Sequence, residues 1–165
     1  MTLRVAKMLL VFAVAFYYAF VVFNNTTDYD SNYQFVRHVM MMDSTFPGNR
    51  GMWRAINTPA LHTAFYVTII AWETLTMVLC FIGAAKLAGA LRGTAAAFHA
   101  AKGMAILGLT VGLLQWLVAF LSVGGEWFLM WQSKNWNGQD AAFRMFTVIG
   151  IVLLFLSQSD LEGQP

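Results

Sequence analysis

Glu73 is the first residue from which chemistry is expected, because the run 59–85 around it holds no other Asp, Glu, Lys or Arg. An ionised carboxylate at that depth in a bilayer costs ~2.5–3.5 kcal/mol on insertion scales. It must face an interior, be protonated or be paired. His62, Tyr66, Glu73, Thr76 and Cys80 recur along one stripe at helical spacing. Gly108, Gly112, Gln115, Ala119 and Ser122 form a second stripe in the apolar run 103–123. Gly108-x-x-x-Gly112 lets two helix backbones approach closely, which would bring Gln115 to Glu73 at similar depth. The plain reading is an interhelical hydrogen bond that fixes packing. The sharper reading is a proton or ion path through Glu73 and Gln115. A single acid with no second acid or base at membrane depth is thin for a pump, and the paired broken helices of many transporters are not in the pattern.

Histidine and sulfur are the other candidate ligands. A haem held by two histidines needs them at compatible depth on facing helices. His62 lies near the outer end of its span and His99 beyond the opposite end of the next, so that pair fails. His38 shares the outer side with His62 but belongs to a loop. Met40-Met41-Met42 beside His38 offers soft donors of the kind copper takes, although methionine more often fills apolar space. Asp28, Asp30, Asp43, Glu126 and Asp140 supply hard oxygens at a spacing that matches no calcium loop. Their expected partners are Arg37, Arg50, Arg54 and Arg144. Arg144 stands one turn into a helix whose N-terminal dipole disfavours a cation, so an acidic partner is expected there, Glu126 first. No nucleophile elbow, phosphate loop, metalloprotease helix or dinucleotide fingerprint occurs. No cofactor and no enzymatic activity is predicted.

These side chains are carried by a very apolar chain. Of 165 residues, 59% are hydrophobic, 15% aromatic and only 11% charged, whereas an ordinary soluble domain is ~45–50% apolar and ~25% charged. A net charge of +2 is too small to suggest nucleic-acid binding. The single cysteine, Cys80, excludes an internal disulfide framework. The predicted fold is an all-α membrane protein, one integral membrane domain over 1–165, with four transmembrane helices in an antiparallel bundle. The spans fall at about 5–23, 59–85, 103–123 and 141–157, and the outer loops at about 24–58 and 124–140. Arg4 and Lys7 precede the first apolar run as in a signal peptide, but no small-x-small cleavage site follows, so the run is read as retained. Thr58 and Thr94 are placed to cap helices, Pro59 suits a first helical position, and Gly124-Gly125 is expected to stop the third span.

Arg4, Lys7, Lys86, Arg92 and Lys102 gather on one side with no acid nearby; Arg37, Arg50, Arg54, Lys134 and Arg144 match them in number on the other, but the rule weights short flanking segments and the first outer loop is long, so both termini are expected in the cytoplasm. Asp160 and Glu162 count little under this rule. The outer side carries the elaboration. Ser31-Asn32-Tyr33-Gln34 matches a capping box, and Phe35, Val36, Val39 and Met40 then follow helical spacing, which predicts a short amphipathic helix in the first loop. The second loop holds Trp127, Phe128, Trp131 and Trp136, the composition of an interface belt or of a docking surface.

Two outer signatures resemble a known family. The first is Asn24-Asn25-x-Thr27-Asp28-Tyr29, Ser31-Asn32, Phe35-Val36-x-His38-Val39 and Met42-Asp43-Ser44-Thr45-Phe46-Pro47. The second is Gly125-Glu126-Trp127-Phe128, Met130-Trp131-Gln132-Ser133 and Trp136-Asn137-Gly138-Gln139. Together they resemble the bacterial predicted small integral membrane proteins of the domain-of-unknown-function family numbered 2165. The resemblance covers nearly the whole chain. It implies a four-helix protein of the bacterial inner membrane and brings no chemistry with it.

The expected function is that of a non-catalytic accessory or stabilising subunit of a larger membrane complex. Its outer face would dock lipid or other membrane-protein subunits through Asp28, His38, Asp43, Trp53, Glu126, Trp127, Trp131, Trp136 and Arg144. One alternative is a small transporter or ion-pathway component using Glu73 and Gln115, with His62 as a third intramembrane polar group. The other is a redox subunit that binds quinone or haem near His38, His62 and the tryptophans.

Overall fold

The computed structural model describes residues 1–160, so Glu162 lies outside the described residues. All regular elements among them are helical. Four helices are long and apolar enough to cross a membrane. They are α1 (Thr2–Thr27), α3 (Pro59–Ala90), the run Ala95–Trp127 and α6 (Gln139–Ser157). The third is composite: α4 (Ala95–Ala100) turns into α5 (Gly103–Leu114), which passes into a π-helical stretch, Gln115–Trp127. A further helix, α2 (Tyr29–Met41), and 3₁₀ turns at Arg50–Arg54 and Met130–Gln132 complete the described fold. At ~1.5 Å per residue, the 19 residues of α6 reach about 28 Å, close to the ~30 Å of a hydrocarbon core. The 32 residues of α3 reach about 48 Å and project beyond it.

α1 buries Lys7, Val11, Val14, Tyr18 and Asn25 along one stripe. Phe12, Phe16 and Phe20 form an exposed aromatic ladder on another face. The helix runs four residues past its expected end. Thr26 and Thr27 donate their hydroxyls to carbonyls of the preceding turn, which lets these polar residues remain helical. α1 packs on α3, α3 on α5 and α5 on α6. α3 and α5 approach closely because small residues face each other along their contact. A Cβ on Gly83 would lie 2.5 Å from Ala105 Cα, and one on Gly112 would lie 2.8 Å from Thr76 Cγ2. Gly108 meets Cys80 in the same way, so Gly108-x-x-x-Gly112 performs the close approach read from its spacing.

Several local expectations change. α2 starts at Tyr29 behind Asp28, two residues before the supposed capping box. Ser31 is thus already inside the helix, where its hydroxyl donates to Asp28 Oδ2 at 2.8 Å, and Gln34 donates to Asp30 instead of reaching back to Ser31. Thr94 caps α4 through Ala97 N–H, but Thr58 makes no side-chain cap. Gly124-Gly125 does not end the third span. Both glycines are buried, Gly124 beneath Met130 and Gly125 against Gln139, and the helix continues to Trp127. The wider π turn also rotates the polar stripe. Gln115 stays buried, Ala119 is half-buried, and Ser122 is exposed with its hydroxyl donated to Leu117 O five residues back.

The two outer loops close into one cap. Val39, Met40, Met42, Phe128 and Met130 form its apolar core. Ser44 and Ser133 hydroxyls meet at 2.8 Å, Gln132 Oε1 accepts from Phe46 N–H and Asn49 Nδ2, and Ile56 N–H donates to Met40 O. Met42 and Leu129 both take positive φ, 52° and 56°, where α2 ends and where the third span ends.

Candidate functional site

Glu73 sits mid-helix in α3 with 2% of its surface exposed. Its Oε2 accepts from Asn25 Nδ2 at 2.6 Å and its Oε1 from Gln115 Nε2 at 3.3 Å. The expected Glu73–Gln115 pair therefore forms, on the stripe read from the sequence. The shorter of Glu73's two bonds comes from Asn25, a residue the sequence reading assigned to a loop. Asn25 Oδ1 in turn accepts from Asn32 Nδ2 at 2.7 Å, and the Tyr66 hydroxyl donates to Asn25 O and Oδ1 at 3.3 Å. Gln115 Oε1 is buried without a partner. One signal for Asn25 was available: 7, 11, 14, 18 and 25 continue a single helical stripe across the supposed end of α1.

A partly open cavity of about 320 Å³ lies against this cluster. α1 supplies Val21, Asn24 and Asn25; α2 supplies Asn32, Phe35 and Val36; α3 supplies Tyr66, Ile69 and Glu73. Trp116 and Phe120 come from the π stretch, and Gly138 and Ala141 from the start of α6. Asn24, Asn32 and Ala141 on its rim are exposed. Below it, Tyr18 accepts from Trp116 Nε1 at 2.9 Å and donates to Gly112 O at 3.3 Å. A bonded network thus floors the cavity.

The remaining predicted residues do not join this cluster. His62 is 1% exposed, its Nε2 lies 2.8 Å from Ile56 O, and its Nδ1 is buried without a partner. Eleven residues separate it from Glu73 along α3, about 16 Å of helix. His38 stacks on Trp136 at 4.5 Å between ring centres and contacts Asp43 at 2.6 Å. His99 is exposed. Met40 and Met42 fill the cap core. Among the described residues, no three His, Cys, Asp or Glu side chains converge as a cage for a metal ion.

The outer arginines differ from expectation. Among the described residues, no ion pair joins Arg37, Arg50, Arg54 or Arg144 to an acid. Arg144 is exposed, two positions from the buried Ala142 and so roughly on the far side of α6, and does not reach Glu126. Glu126 is exposed too; its backbone carbonyl, not its carboxylate, accepts from Arg54 Nη1 at 3.3 Å. Exposed ion pairs gain ~0–1 kcal/mol, too little to impose a geometry. Arg54 instead lies over the rings of Trp53 and Trp127, 5.7 and 5.6 Å from their centres. Trp53 is 76% exposed, and Trp131 stands edge-on to Phe46. Asp28 serves as the helix-start residue of α2.

The opposite end carries a feature that the lysine and arginine pattern does not signal. Asp160 lies between Lys7 and Lys102, and all three side chains are at most 3% exposed. Lys7 Nζ is 2.8 Å from Asp160 Oδ1, Lys102 pairs with Oδ2, and both lysines donate to Gln158 O at 2.7 Å. Burial pushes the Asp160 carboxyl up, but the bonds from Lys102 and Lys7 outweigh it and hold the group below its ordinary 3.8.

Four apolar membrane-length helices with a polar cluster enclosed among them define an integral membrane protein. Residues 3–159 match the family described as predicted small integral membrane protein (DUF2165), and the chain belongs to it. No curated protein and no solved structure matches the chain.

Proposed function

We propose that this chain is a multi-pass protein of the bacterial inner membrane that handles a small solute or a proton at Glu73, as a transporter or a component of one. The observation that carries the reading is the 320 Å³ cavity lined by a buried carboxylate that no cationic side chain neutralises. A dry, fully packed bundle around Glu73 would have favoured a purely structural hydrogen bond. The bundle is antiparallel, with both termini in the cytoplasm beside Arg4, Lys7, Lys86, Arg92 and Lys102, and α2 lies over it as an amphipathic lid. The cavity then faces the outer half of the membrane. The role is non-catalytic and uses no cofactor.

Thiol accessibility tests it. In a Cys80→Ser background, Glu73→Cys and Asn32→Cys are exposed to a small charged, membrane-impermeant thiol reagent in intact spheroplasts. Both label from outside if the reading holds. A Glu73→Cys thiol that no reagent reaches from either side overturns it.

The accessory-subunit reading keeps one specific support. Trp53, Arg54 and Trp127 form an exposed cation–aromatic cluster on the cap, a composition enriched at protein interfaces. Lipid headgroups and other membrane-protein subunits are the candidate partners. Purification in mild detergent with a stoichiometric companion, lost on Trp53→Ala, would favour it; a clean monomer or homo-oligomer would end it.

A further inference from the structure

We propose that the cavity beside Glu73 is a binding site for an organic monocation, a protonated amine borne on an aromatic or aliphatic body. This rests on the reading of Glu73 as a functional group and names what it takes. The polar groups at this cavity are neutral donors and one carboxylate. Asn25 Nδ2 and Gln115 Nε2 each spend a proton on Glu73; Asn32 and Tyr66 spend theirs on Asn25; the Trp116 indole spends its own on Tyr18. Each amide keeps a second N–H and Asn24 adds another amide to the lining, so what the cavity lacks is not a neutral donor but a positive charge. The carboxylate holds one bond per oxygen and can accept about four. No Lys, Arg or His lines the cavity. The unmet demand is for a donor with positive charge.

Size and lining decide between classes of cation. A single carboxylate with amide oxygens is too few hard ligands for calcium, which takes about six to eight. The cavity, about 320 Å³, is far larger than a bare monovalent ion fills. Tyr66, Trp116, Phe120 and Phe35 line the same cavity as the carboxylate, and aromatic faces attract ammonium groups by about 0.5–2 kcal/mol in general. Phe35, Val36, Ile69 and Phe120 are shared with a second, almost wholly apolar pocket that continues to Phe65, Val123 and Met130 under the cap. Ammonium at Glu73 and apolar body toward the cap is the orientation this lining favours. An anion would meet the carboxylate's repulsion, and a neutral solute would leave the charge uncompensated.

The test uses the full chain in lipid nanodiscs and three probes of one shape: phenethylammonium, phenethyl alcohol and phenylpropionate. Binding is read by calorimetry at neutral pH. The amine is expected to bind saturably at one site, and the alcohol and the carboxylate at least about tenfold more weakly. Glu73→Gln keeps the amide-bonded geometry and should weaken the amine by about tenfold or more. Should Glu73→Gln fail to fold, Ala141→Trp narrows the cavity rim without touching the carboxylate and should abolish amine binding while leaving the melting temperature within a few degrees. Equal affinity for amine and alcohol, or amine binding untouched by both variants, overturns the proposal. Stabilisation by sodium that Glu73→Gln removes, with no response to the amine, overturns this ligand class and leaves Glu73 a functional group. No response to amine, sodium or proton refutes both.

Discussion

Among the described residues two carboxylate side chains are buried, and the fold treats them oppositely. Asp160 is bracketed by Lys7 and Lys102, with Gln158 O taking a further proton from each lysine. Glu73 receives only amide donors, Asn25 and Gln115, and faces a cavity. The first arrangement is electrostatically closed: it ties α1, the α4–α5 turn and the segment after α6 together, and leaves nothing for a ligand to add. The second is open. A fold able to bring two lysines to one aspartate leaves its membrane-depth glutamate without a cation, at a place where an uncompensated charge is costly. The difference separates a carboxylate that stabilises from one that is kept available.

The strongest way to break that contrast is to remove the closed carboxylate. Asp160→Ala leaves two buried ammonium groups facing each other. Loss of one partner of a buried pair costs about 3–5 kcal/mol, and the low end is expected here because Gln158 O still accepts from both lysines. The melting temperature in detergent should fall by several degrees, and Lys102→Met combined with Asp160→Ala should recover part of the loss. Acid probes the same site without mutation. A carboxyl held below its ordinary pKa contributes stability that is fully present above that value and is lost as pH falls through the folded-state value. Protease sensitivity of the segment after α6 should therefore stay flat from neutral pH to about 4, near the ordinary 3.8, and rise only below it. Asp160→Asn should erase that acid dependence.

Both ends show what a sequence exposes and what it hides. The four spans were legible because apolar runs of that length admit few other structures. The face His62, Tyr66, Glu73, Thr76, Cys80 was legible because a regular α-helix repeats with a fixed angle, and all five are buried. So was the meeting of Glu73 with Gln115. Ser122 was misplaced because nothing in Gln115–Trp127 signals a π turn, which moves every later side chain around the axis. Asn25 was missed because asparagine after an apolar run reads as a break, although its spacing from Tyr18 fits the buried stripe of α1. Asp160 was discounted by a rule about topology that weighs lysine and arginine and ignores acids. The helix dipole alone asks for an acidic partner at Arg144, and exposure to solvent removes the need for one.

Asn25→Ala tests the open site from its support. It strips Glu73 Oε2 of its 2.6 Å donor and leaves Asn32 and Tyr66 without their acceptor side chain. Orphaned buried polar groups cost about 1–3 kcal/mol, so the loss should sit below that of Asp160→Ala. Asn25→Asp sharpens the result, because it keeps the shape and the acceptor while setting a second acid against Glu73. It should destabilise more than alanine at neutral pH and less as pH falls.

Glu73→Gln is expected to have the smallest effect on stability, and the comparison turns on it. Removing the charge of Asp160 strands two cations; removing the charge of Glu73 strands none. The glutamine side chain keeps one oxygen to accept from Asn25, and its new amide group can donate to Gln115 Oε1 once that amide turns over, at the loss of the bond that Gln115 Nε2 now gives Glu73 Oε1. Burial of a charge near membrane depth is relieved at the same time. The net change should lie within about 1 kcal/mol of zero, the balance of those two gains against the lost bond from Gln115 Nε2 and a weakened one from Asn25. A loss as large as that of Asp160→Ala would mean that Glu73 is a structural anchor, its carboxylate held by the fold for packing rather than left open for a ligand.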